Sequence, residues 1–138
     1  MPLFYADASA LVKLVREEPE SAALRSYLDE ADVVACELVL TEVPRAVRRA
    51  SAGDPALPLD ILLSRAGQLL DAVALLPCDR GLMEAAGALA EPALRTLDAI
   101  HVVAAILVTP IDAFISYDER QGAAARLAGL RTVAPGSA

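Results

Sequence analysis

Short apolar runs alternate along the chain with longer segments in which apolar side chains recur at the period of an α-helix. The short runs predict buried strands at 3–6, 33–36, 72–76 and 113–116, with a weaker fifth candidate at 131–134. The longer segments predict helices at 8–17, 20–30, 37–50, 58–71, 79–89, 94–107 and 119–128. Continuous apolar strands that alternate with helices are typical of a parallel sheet covered on both faces. The pattern therefore predicts an α/β fold with a mostly parallel sheet of four to five strands.

The segment from Leu94 to Leu107 is apolar around almost its whole circumference, which predicts a buried helix. Asp98 lies inside this segment. An ionised carboxylate among apolar side chains is costly unless it is paired or binds a metal, so the partner of Asp98 is the main question here. The side chains expected to bury the helix are Leu97, Ile100, Val103, Ala104 and Leu107.

Pro44 conflicts with the helix that the pattern predicts at 37–50. Proline lacks the backbone donor, and its ring crowds the carbonyl group four residues earlier. We therefore expect the helix to kink near Leu40, which would displace Glu42 from the position that a straight helix gives it.

The length of 138 residues predicts a single domain, 1–138, that is large enough to bury a substantial core. Asp98 and His101 interrupt the longest apolar run and Pro110 follows it, so no membrane span is expected. The N-terminal residues lack the basic and apolar regions of a signal peptide. We expect a cytoplasmic protein.

Cys36 and Cys78 each lie at the end of an apolar run. In a reducing compartment two buried thiols are expected rather than a disulfide. Neither cysteine has another cysteine or a suitably spaced histidine near it in the sequence, so no zinc site is expected.

The chain carries a formal net charge of −7 and has a pI of about 4.6. Proteins that bind nucleic acids usually have a basic surface, so this balance alone argues against such a ligand. It favours a basic protein partner, or cations that are clustered on one face. Lys13 is the only lysine, and arginine suits bidentate contacts to phosphate or carboxylate groups.

Four carboxylates are expected to approach one edge of the sheet. Asp7 and Asp118 directly follow predicted strands, Glu42 lies in the helix after the second strand, and Asp98 lies near the start of its helix. Ligands of open parallel sheets bind at the carboxyl ends of the strands. Acids crowded there need cations to neutralise them, and oxygen ligands favour Mg²⁺ or Mn²⁺. Such a site is the usual apparatus for phosphodiester hydrolysis.

Capping offers a simpler explanation for two of these acids. Asp7 can cap the helix that follows it, and Asp118 can form a capping box with Gln121 at the third helical position. Capping and metal binding are compatible, so both explanations stay open.

Local pairing is the simpler explanation for the other two. Glu42 can pair with Arg45 three residues later, and Asp98 can pair with Arg95 or with His101. His101, the only histidine, is expected to be a buried core residue or a hydrogen-bond partner of Asp98 rather than a direct participant in chemistry.

Four segments, taken in order, resemble the signature segments of PIN-domain ribonucleases, and most closely those of VapC-type toxins from bacterial type II toxin–antitoxin pairs. Each segment has an acid at the expected place, and together they span nearly the whole chain. The resemblance implies a three-layer α/β/α sandwich. The segments are FYADASALVKL, LVLTEVPRA, LRTLDAIHVVAA and FISYDERQGAAARLAGL.

The resemblance also implies a site and a function. Asp7, Glu42, Asp98 and Asp118 would be the catalytic, metal-binding acids. The expected activity is cleavage of RNA by a water that Mg²⁺ or Mn²⁺ activates. The expected partners are a second copy of the chain and a cognate antitoxin that blocks the site, in a heterotetramer or larger assembly.

Several polar residues near these acids are candidate helpers. Ser9 and Ser116 could orient water or the carboxylates, although simple capping explains both hydroxyls equally well. Five cations on the flanking helices are candidates for contacts to RNA phosphates, unless they only form a solvated helix face. They are Lys13, Arg16, Arg45, Arg48 and Arg49. The arginines of an antitoxin would also suit the acidic pocket.

Two other functions remain compatible with an acidic α/β fold. A receiver-like phosphoryl acceptor would need a lysine after its last strand, whereas Lys13 lies in the first helix. A non-catalytic PIN-like binding module would not need the complete set of acids.

Overall fold

A computed structural model describes residues 1–137, and Ala138, the last residue of the predicted domain, lies outside the described residues. The strands are β1 (Leu3–Ala6), β2 (Asp32–Cys36), β3 (Ala74–Leu76), β4 (Ala113–Ile115) and β5 (Thr132–Val133). The helices are α1 (Ala8–Val15), α2 (Ser21–Tyr27), α3 (Val39–Gly53), α4 (Leu59–Ala72), α5 (Arg80–Gly87), α6 (Thr96–Leu107) and α7 (Glu119–Leu127).

The strands form one parallel sheet in the order β3-β2-β1-β4-β5. The predicted α/β class and the parallel sheet are therefore confirmed, and the fifth strand is present. The chain builds the sheet outward from β1 to β3, and then returns to place β4 on the other side of β1. This reversal of strand order opens a crevice at the carboxyl ends of β1 and β4, where α/β proteins bind ligands.

Alternating side chains of β1 face two separate cores. Phe4 and Ala6 pack with the buried residues of α1, α2, α3 and α4 on one face of the sheet. Tyr5 packs with those of α5, α6 and α7 on the other face. Helices thus cover both faces, which confirms the three-layer α/β/α sandwich.

Helix α6 is buried through its middle, from Ala99 to Ala105, but its two ends are not. Leu97 is 47% exposed and Leu107 is 58% exposed, so the prediction that these two side chains bury the helix is wrong. The reason is that α6 lies across the sheet, and its first and last turns reach past the packed region. Asp98 lies in the first turn and is only half-buried, so burial is less costly for it than the sequence pattern suggested.

Helix α3 continues through Pro44 to Gly53 as a single helix. Pro44 lies in the second turn, where it removes one backbone hydrogen bond, and the buried side chains of Val43 and Val47 anchor the helix on the core. Within residues 1–137, no helix is both long and apolar enough to cross a membrane.

Candidate active site

A cleft of about 610 Å³ opens at the carboxyl edge of the sheet, beside the crevice between β1 and β4. All four acids that the sequence singled out line this cleft: Asp7, Glu42, Asp98 and Asp118. They come from four distant segments, and the parallel topology brings their segments to the same edge. The expectation that they share one pocket is met by this geometry.

Asp7 is the most deeply buried of the four acids, and it also caps α1. Its Oδ1 accepts hydrogen bonds from the Ala10 amide at 3.0 Å and from the Ser9 hydroxyl at 2.6 Å. Its Oδ2 accepts from the side-chain amide of Gln121. Burial raises the pKa of Asp7, and the hydroxyls of Ser116 and Ser9 oppose that rise.

Glu42 faces the cleft from the first turn of α3, so Pro44 does not remove it from the site. Its Oε1 lies 2.6 Å from Nε2 of His101. Glu42 is thus held by a residue of the neighbouring helix α6 rather than by Arg45, the local partner that helical spacing suggested.

His101 is buried, as the apolar helix predicts, but it does not serve Asp98. The second ring nitrogen, Nδ1, lies 2.7 Å from the hydroxyl of Tyr5. The ring therefore bonds Glu42 and Tyr5, and the prediction that it pairs with Asp98 is wrong. Both side chains line the cleft, but the buried His101 ring directs its two nitrogens to Tyr5 and Glu42 rather than to Asp98.

Asp98 is partly buried and lies beside the three other acids of the cleft. Partial burial and the negative charges of Asp118, Asp7 and Glu42 raise the pKa of Asp98. Among residues 1–137, Asp98 forms no ion pair with the nearby Arg95. The carboxylates thus repel one another across the cleft, which a bound cation would relieve.

Asp118 is exposed at the N-terminus of α7, where it accepts hydrogen bonds from the amides of Arg120 at 2.9 Å and Gln121 at 3.1 Å. It is therefore a capping residue that also lines the cleft. The reciprocal half of the predicted capping box is absent, because the Gln121 side chain turns to Asp7 instead.

The two serines are local organisers of the acids. The hydroxyl of Ser9 donates to Asp7 and accepts from the Tyr117 amide at 2.9 Å, which ties the ends of β1 and β4 together. The hydroxyl of Ser116 accepts from the Asp118 amide at 3.1 Å. Both contacts support the acids, and neither points to a direct role in chemistry.

Gln121 and Tyr5 are the two residues of this site that the sequence analysis missed. The sequence pattern predicts Gln121 only as part of a cap, and it places Tyr5 only within the strand predicted at 3–6. Within the described part of the chain, Oε1 of Gln121 is the single buried side-chain polar atom without a hydrogen-bond partner. No sequence signal marks Gln121, because it follows the polar residues Glu119 and Arg120 in the first turn of α7.

The five candidate cations separate into three groups. Arg45 and Arg49 line the cleft one turn apart on α3, whereas Arg16 and Arg48 lie outside its lining. Lys13 lines the cleft, but its ammonium already bonds Glu18 at 3.0 Å and Glu20 at 2.9 Å. It also lies 4.7 Å from the centre of the Tyr117 ring. Arg45 and Arg49 are therefore the cations best placed for a phosphate.

The donor set suits a hydrated divalent cation better than a tightly enclosed one. Among residues 1–137, no three His, Cys, Asp or Glu side chains lie close enough together to form a ready-made coordination shell. Mg²⁺ usually keeps several waters and takes only one or two carboxylates directly. Binding of a hydrated ion is compatible with the oxygen donors of this cleft and with their mutual repulsion. It is also compatible with the unpartnered Oε1 of Gln121, which can accept from a water on the ion.

The two cysteines lie outside this cleft but close to each other. Cys36 is buried and Cys78 is partly exposed, and their Sγ atoms are 2.7 Å apart. The expectation that Cys78 is buried is wrong, and the two cysteines, although 42 positions apart in the sequence, are neighbours in the fold. Sequence spacing could not show the proximity, because pairing of β2 with β3 brings the two segments together.

These features define an α/β/α protein with an acidic cleft at the switch point of a parallel sheet. A protein-family model for the PIN domain matches residues 4–127. The chain is 40% identical over 144 residues to Ribonuclease VapC35 of Mycobacterium tuberculosis, with 99% of each chain covered. It is 38% identical over 138 residues to Ribonuclease VapC46 of the same organism, with 98% of this chain and 99% of the relative covered.

A solved structure shares the fold at low sequence identity. The crystal structure of VapBC2 from Rickettsia felis, bound to a DNA fragment from their promoter, matches 96% of this chain and 98% of its own, with a TM-score of 0.70. Its sequence identity of 11% limits this likeness to the fold. The protein belongs to the PIN-domain family and, by its identity to the mycobacterial relatives, to the VapC group within it.

Proposed function

We propose that this protein is a metal-dependent endoribonuclease and the toxin of a type II toxin–antitoxin pair. The observation that carries the proposal is the meeting of four carboxylates from four segments in one cleft, in a chain of the VapC group. Proteins of this group at 34% to 40% identity are named ribonucleases. The substrate class is therefore RNA, and the reaction is hydrolysis of a phosphodiester bond.

The cofactor in this proposal is Mg²⁺ or Mn²⁺, held by Asp7, Glu42, Asp98 and Asp118 either directly or through water. Such an ion supplies a water of lowered pKa and positive charge beside the phosphoryl oxygens. The chain supplies the geometry: Ser9, Ala10 and Gln121 fix the carboxylate of Asp7, which leaves it little freedom to rotate.

The cations of α3 would bind the RNA backbone. Arg45 and Arg49 lie on the same face of the helix as Glu42, so a phosphate that contacts them lies next to the carboxylates. This local patch explains how an acidic protein can bind RNA: the phosphate contacts are concentrated at one side of the cleft, while the net charge of −7 is spread over the rest of the chain.

The proposed partners are a cognate antitoxin and a second copy of this chain, in a heterotetramer or larger assembly in the cytoplasm. The crystal structure of VapBC2 from Rickettsia felis supports a partner of this kind. The excess of carboxylates in the cleft favours an antitoxin that inserts a cationic side chain, such as arginine, in place of the metal.

Brief expression in a bacterial host, followed by mapping of new RNA 5′ ends, tests the function. The wild type should arrest growth and produce new ends at discrete sites, and Asp98→Asn should do neither. Asp71→Asn is the matched control, because Asp71 is an exposed carboxylate on α4 outside the cleft. Equal toxicity of the wild type and Asp98→Asn would contradict the proposed site. A folded wild type that neither cleaves RNA nor binds Mn²⁺ would favour the non-catalytic binding module instead.

A further inference from the structure

A buried chain of hydrogen bonds runs from the backbone of β2 to the carboxylate of Glu42. The amide of Cys36 donates to the Tyr5 hydroxyl at 3.1 Å. That hydroxyl lies 2.7 Å from Nδ1 of His101, and Nε2 of the same ring lies 2.6 Å from Oε1 of Glu42. Tyr5 and His101 are both almost fully buried, so the contact between them is shielded from water, whereas Glu42 is partly exposed in the cleft.

The donors and acceptors of this chain can be assigned in one way only. A backbone amide can only donate, so the Tyr5 oxygen accepts from Cys36. Burial raises the pKa of Tyr5, so the phenol keeps its proton and must place it on an acceptor. Nδ1 of His101 is the acceptor within reach. Nδ1 therefore carries no hydrogen, and the ring hydrogen lies on Nε2, from where it is donated to Glu42.

A doubly protonated imidazole would break this arrangement. Both ring nitrogens would then donate, and the Tyr5 oxygen would receive hydrogen bonds from His101 and Cys36 at once. Its own hydroxyl hydrogen would be buried without an acceptor, which is unfavourable. The Tyr5 hydroxyl therefore fits a ring that donates from Nε2 and accepts at Nδ1.

We propose that His101 is a positioning residue for Glu42, and that the Tyr5 hydroxyl holds His101 in the tautomer that donates from Nε2. The positioning role rests on the proposed function, because Glu42 is a metal ligand only there. A carboxylate ligand needs its free oxygen aimed at the ion, and the bond from His101 to Oε1 leaves Oε2 for that contact. His101 and Tyr5 would act through Glu42, with no contact to RNA.

The tautomer can be read directly, because His101 is the only histidine in the chain. A long-range ¹H–¹⁵N spectrum of the metal-free protein should show one imidazole with a protonated Nε2 and a bare Nδ1. Tyr5→Phe should move the Nδ1 resonance, because Nδ1 loses its donor while Glu42 still accepts from Nε2. Tyr27→Phe should leave that resonance in place, because the Tyr27 ring packs against Phe4 on the opposite face of the sheet. A wild-type ring protonated at Nδ1 would overturn the assignment, whether or not the protein cleaves RNA.

Calorimetric titration with Mn²⁺ tests the positioning role. His101→Leu should weaken Mn²⁺ binding about 10–100-fold, the usual effect of losing a group that orients a ligand. His101→Gln, whose amide can still donate to Glu42, should recover part of that loss. Binding by His101→Leu and Tyr5→Phe within twofold of the wild type would overturn the positioning role. A wild type without Mn²⁺ binding would overturn both that role and the proposed function, but not the tautomer.

A second feature outside the cleft carries an independent inference. Cys36 ends β2, Cys78 follows β3 by two residues, and their sulfur atoms are 2.7 Å apart. This separation exceeds the length of a disulfide bond, about 2.05 Å, but is well within reach of one. The Cys78 amide donates to Glu37 at 3.0 Å, which holds the Cys78 loop over the end of β2.

The geometry points to Cys36 and Cys78 as a site of reversible oxidation to an intramolecular disulfide by a peroxide. Cys78 is partly exposed, so hydrogen peroxide can oxidise its thiol. The sulfur takes one oxygen as the O–O bond breaks, and the thiol proton leaves with the other oxygen, which gives a sulfenic acid and water. The sulfur of Cys36 then attacks that of Cys78, the S–O bond breaks, and the departing hydroxide takes the Cys36 proton to leave as water. Burial raises the pKa of Cys36 to about 12, which suits it to this second step and not to the first.

Intact mass after treatment with limited hydrogen peroxide tests this site. The mass of the wild type should stay that of a single chain, fall by two hydrogen atoms, and return to its starting value with a dithiol reductant. Peptide mapping should find the two cysteine-containing peptides linked to each other. Cys36→Ser should instead gain oxygen at Cys78, and Cys78→Ser should resist oxidation. Oxygen addition to the wild type without loss of hydrogen, or a disulfide between two chains, would overturn the inference.

Discussion

Gln121 donates its side-chain amide to the buried carboxylate of Asp7 across the crevice between β1 and β4. The contact joins two residues that are 114 positions apart in the chain. Gln121 is almost fully buried, and its Oε1 has no hydrogen-bond partner within the described residues. The Nε2 group of the amide is therefore bonded to Asp7, while its Oε1 is left without a donor. Gln121 thus supports the most buried acid of the cleft.

Gln121→Leu should weaken Mn²⁺ binding about tenfold, because the carboxylate of Asp7 loses the donor that orients Oδ2. Calorimetric titration with Mn²⁺ measures this effect. Gln68→Leu is the matched control, since Gln68 is exposed on α4 and far from the cleft lining. If the two variants bind Mn²⁺ equally well, Gln121 does not support the site.

Asp7→Asn should stabilise the metal-free protein while it abolishes metal binding. Burial raises the pKa of Asp7 in the folded state, so the charged carboxylate costs folding energy at any pH above its unfolded pKa of about 3.9. An amide at this position avoids that cost, and rotation of the Gln121 amide would let its Oε1 accept from the new side chain. The expected gain at pH 7 is about 1 kcal/mol in the free energy of unfolding.

Urea unfolding of wild type and Asp7→Asn at pH 7 and at pH 4, without metal, measures this difference. The cost of the carboxylate grows as pH rises from the unfolded pKa toward the raised folded pKa, so the advantage of Asp7→Asn should be larger at pH 7 than at pH 4. Equal stability at pH 7, or a larger difference at pH 4, would contradict the account of Asp7 as a costly buried charge.

The positions of three acids at the carboxyl edge of the sheet were predictable from the sequence. Apolar runs that end in Asp7 and Asp118 locate two acids at the carboxyl edge of the sheet by topology alone. The hydrophobic period locates Asp98 near the start of its helix. Each of these inferences needs only local sequence and the rule that parallel strands end at a common edge.

The contacts among these residues were not predictable from sequence. His101 bonds Glu42 instead of Asp98, and Gln121 bonds Asp7 instead of the cap of its own helix. Both choices depend on how α6 and α7 are rotated over the sheet, which involves residues that are 59 and 114 positions apart. Helical spacing suggests only partners on the same helix. In both cases the side chain instead bonds a residue from a distant segment, which tertiary packing brings near.

Arg49→Ala and Arg45→Ala should each raise KM for RNA with little effect on kcat, because both side chains line the cleft beside the carboxylates and would contact the phosphates that flank the scissile one. Each should also make the affinity less sensitive to salt, since removing one phosphate contact lowers the slope of log K against log salt by about 0.7 for single strands. Arg48→Ala, which changes an exposed arginine outside the cleft lining, should leave both quantities unchanged.

Steady-state cleavage of a defined RNA at several salt concentrations separates these variants. A fall in kcat with unchanged KM for Arg49→Ala would place that residue at the reacting phosphate instead. An equal effect of Arg48→Ala would show that general charge, rather than the cleft, binds the RNA.

Cleavage of an end-labelled RNA by purified protein, with Mg²⁺ and then with excess EDTA, tests the central claim most directly. The wild type and Asp71→Asn should produce the same discrete fragments with Mg²⁺ and none with EDTA, and Mn²⁺ should restore cleavage. Asp98→Asn should produce no fragments under any of these conditions while its urea unfolding stays cooperative. Cleavage by Asp98→Asn at the wild-type rate, or by the wild type in EDTA, would contradict the account of the acidic cleft as a metal-dependent ribonuclease site.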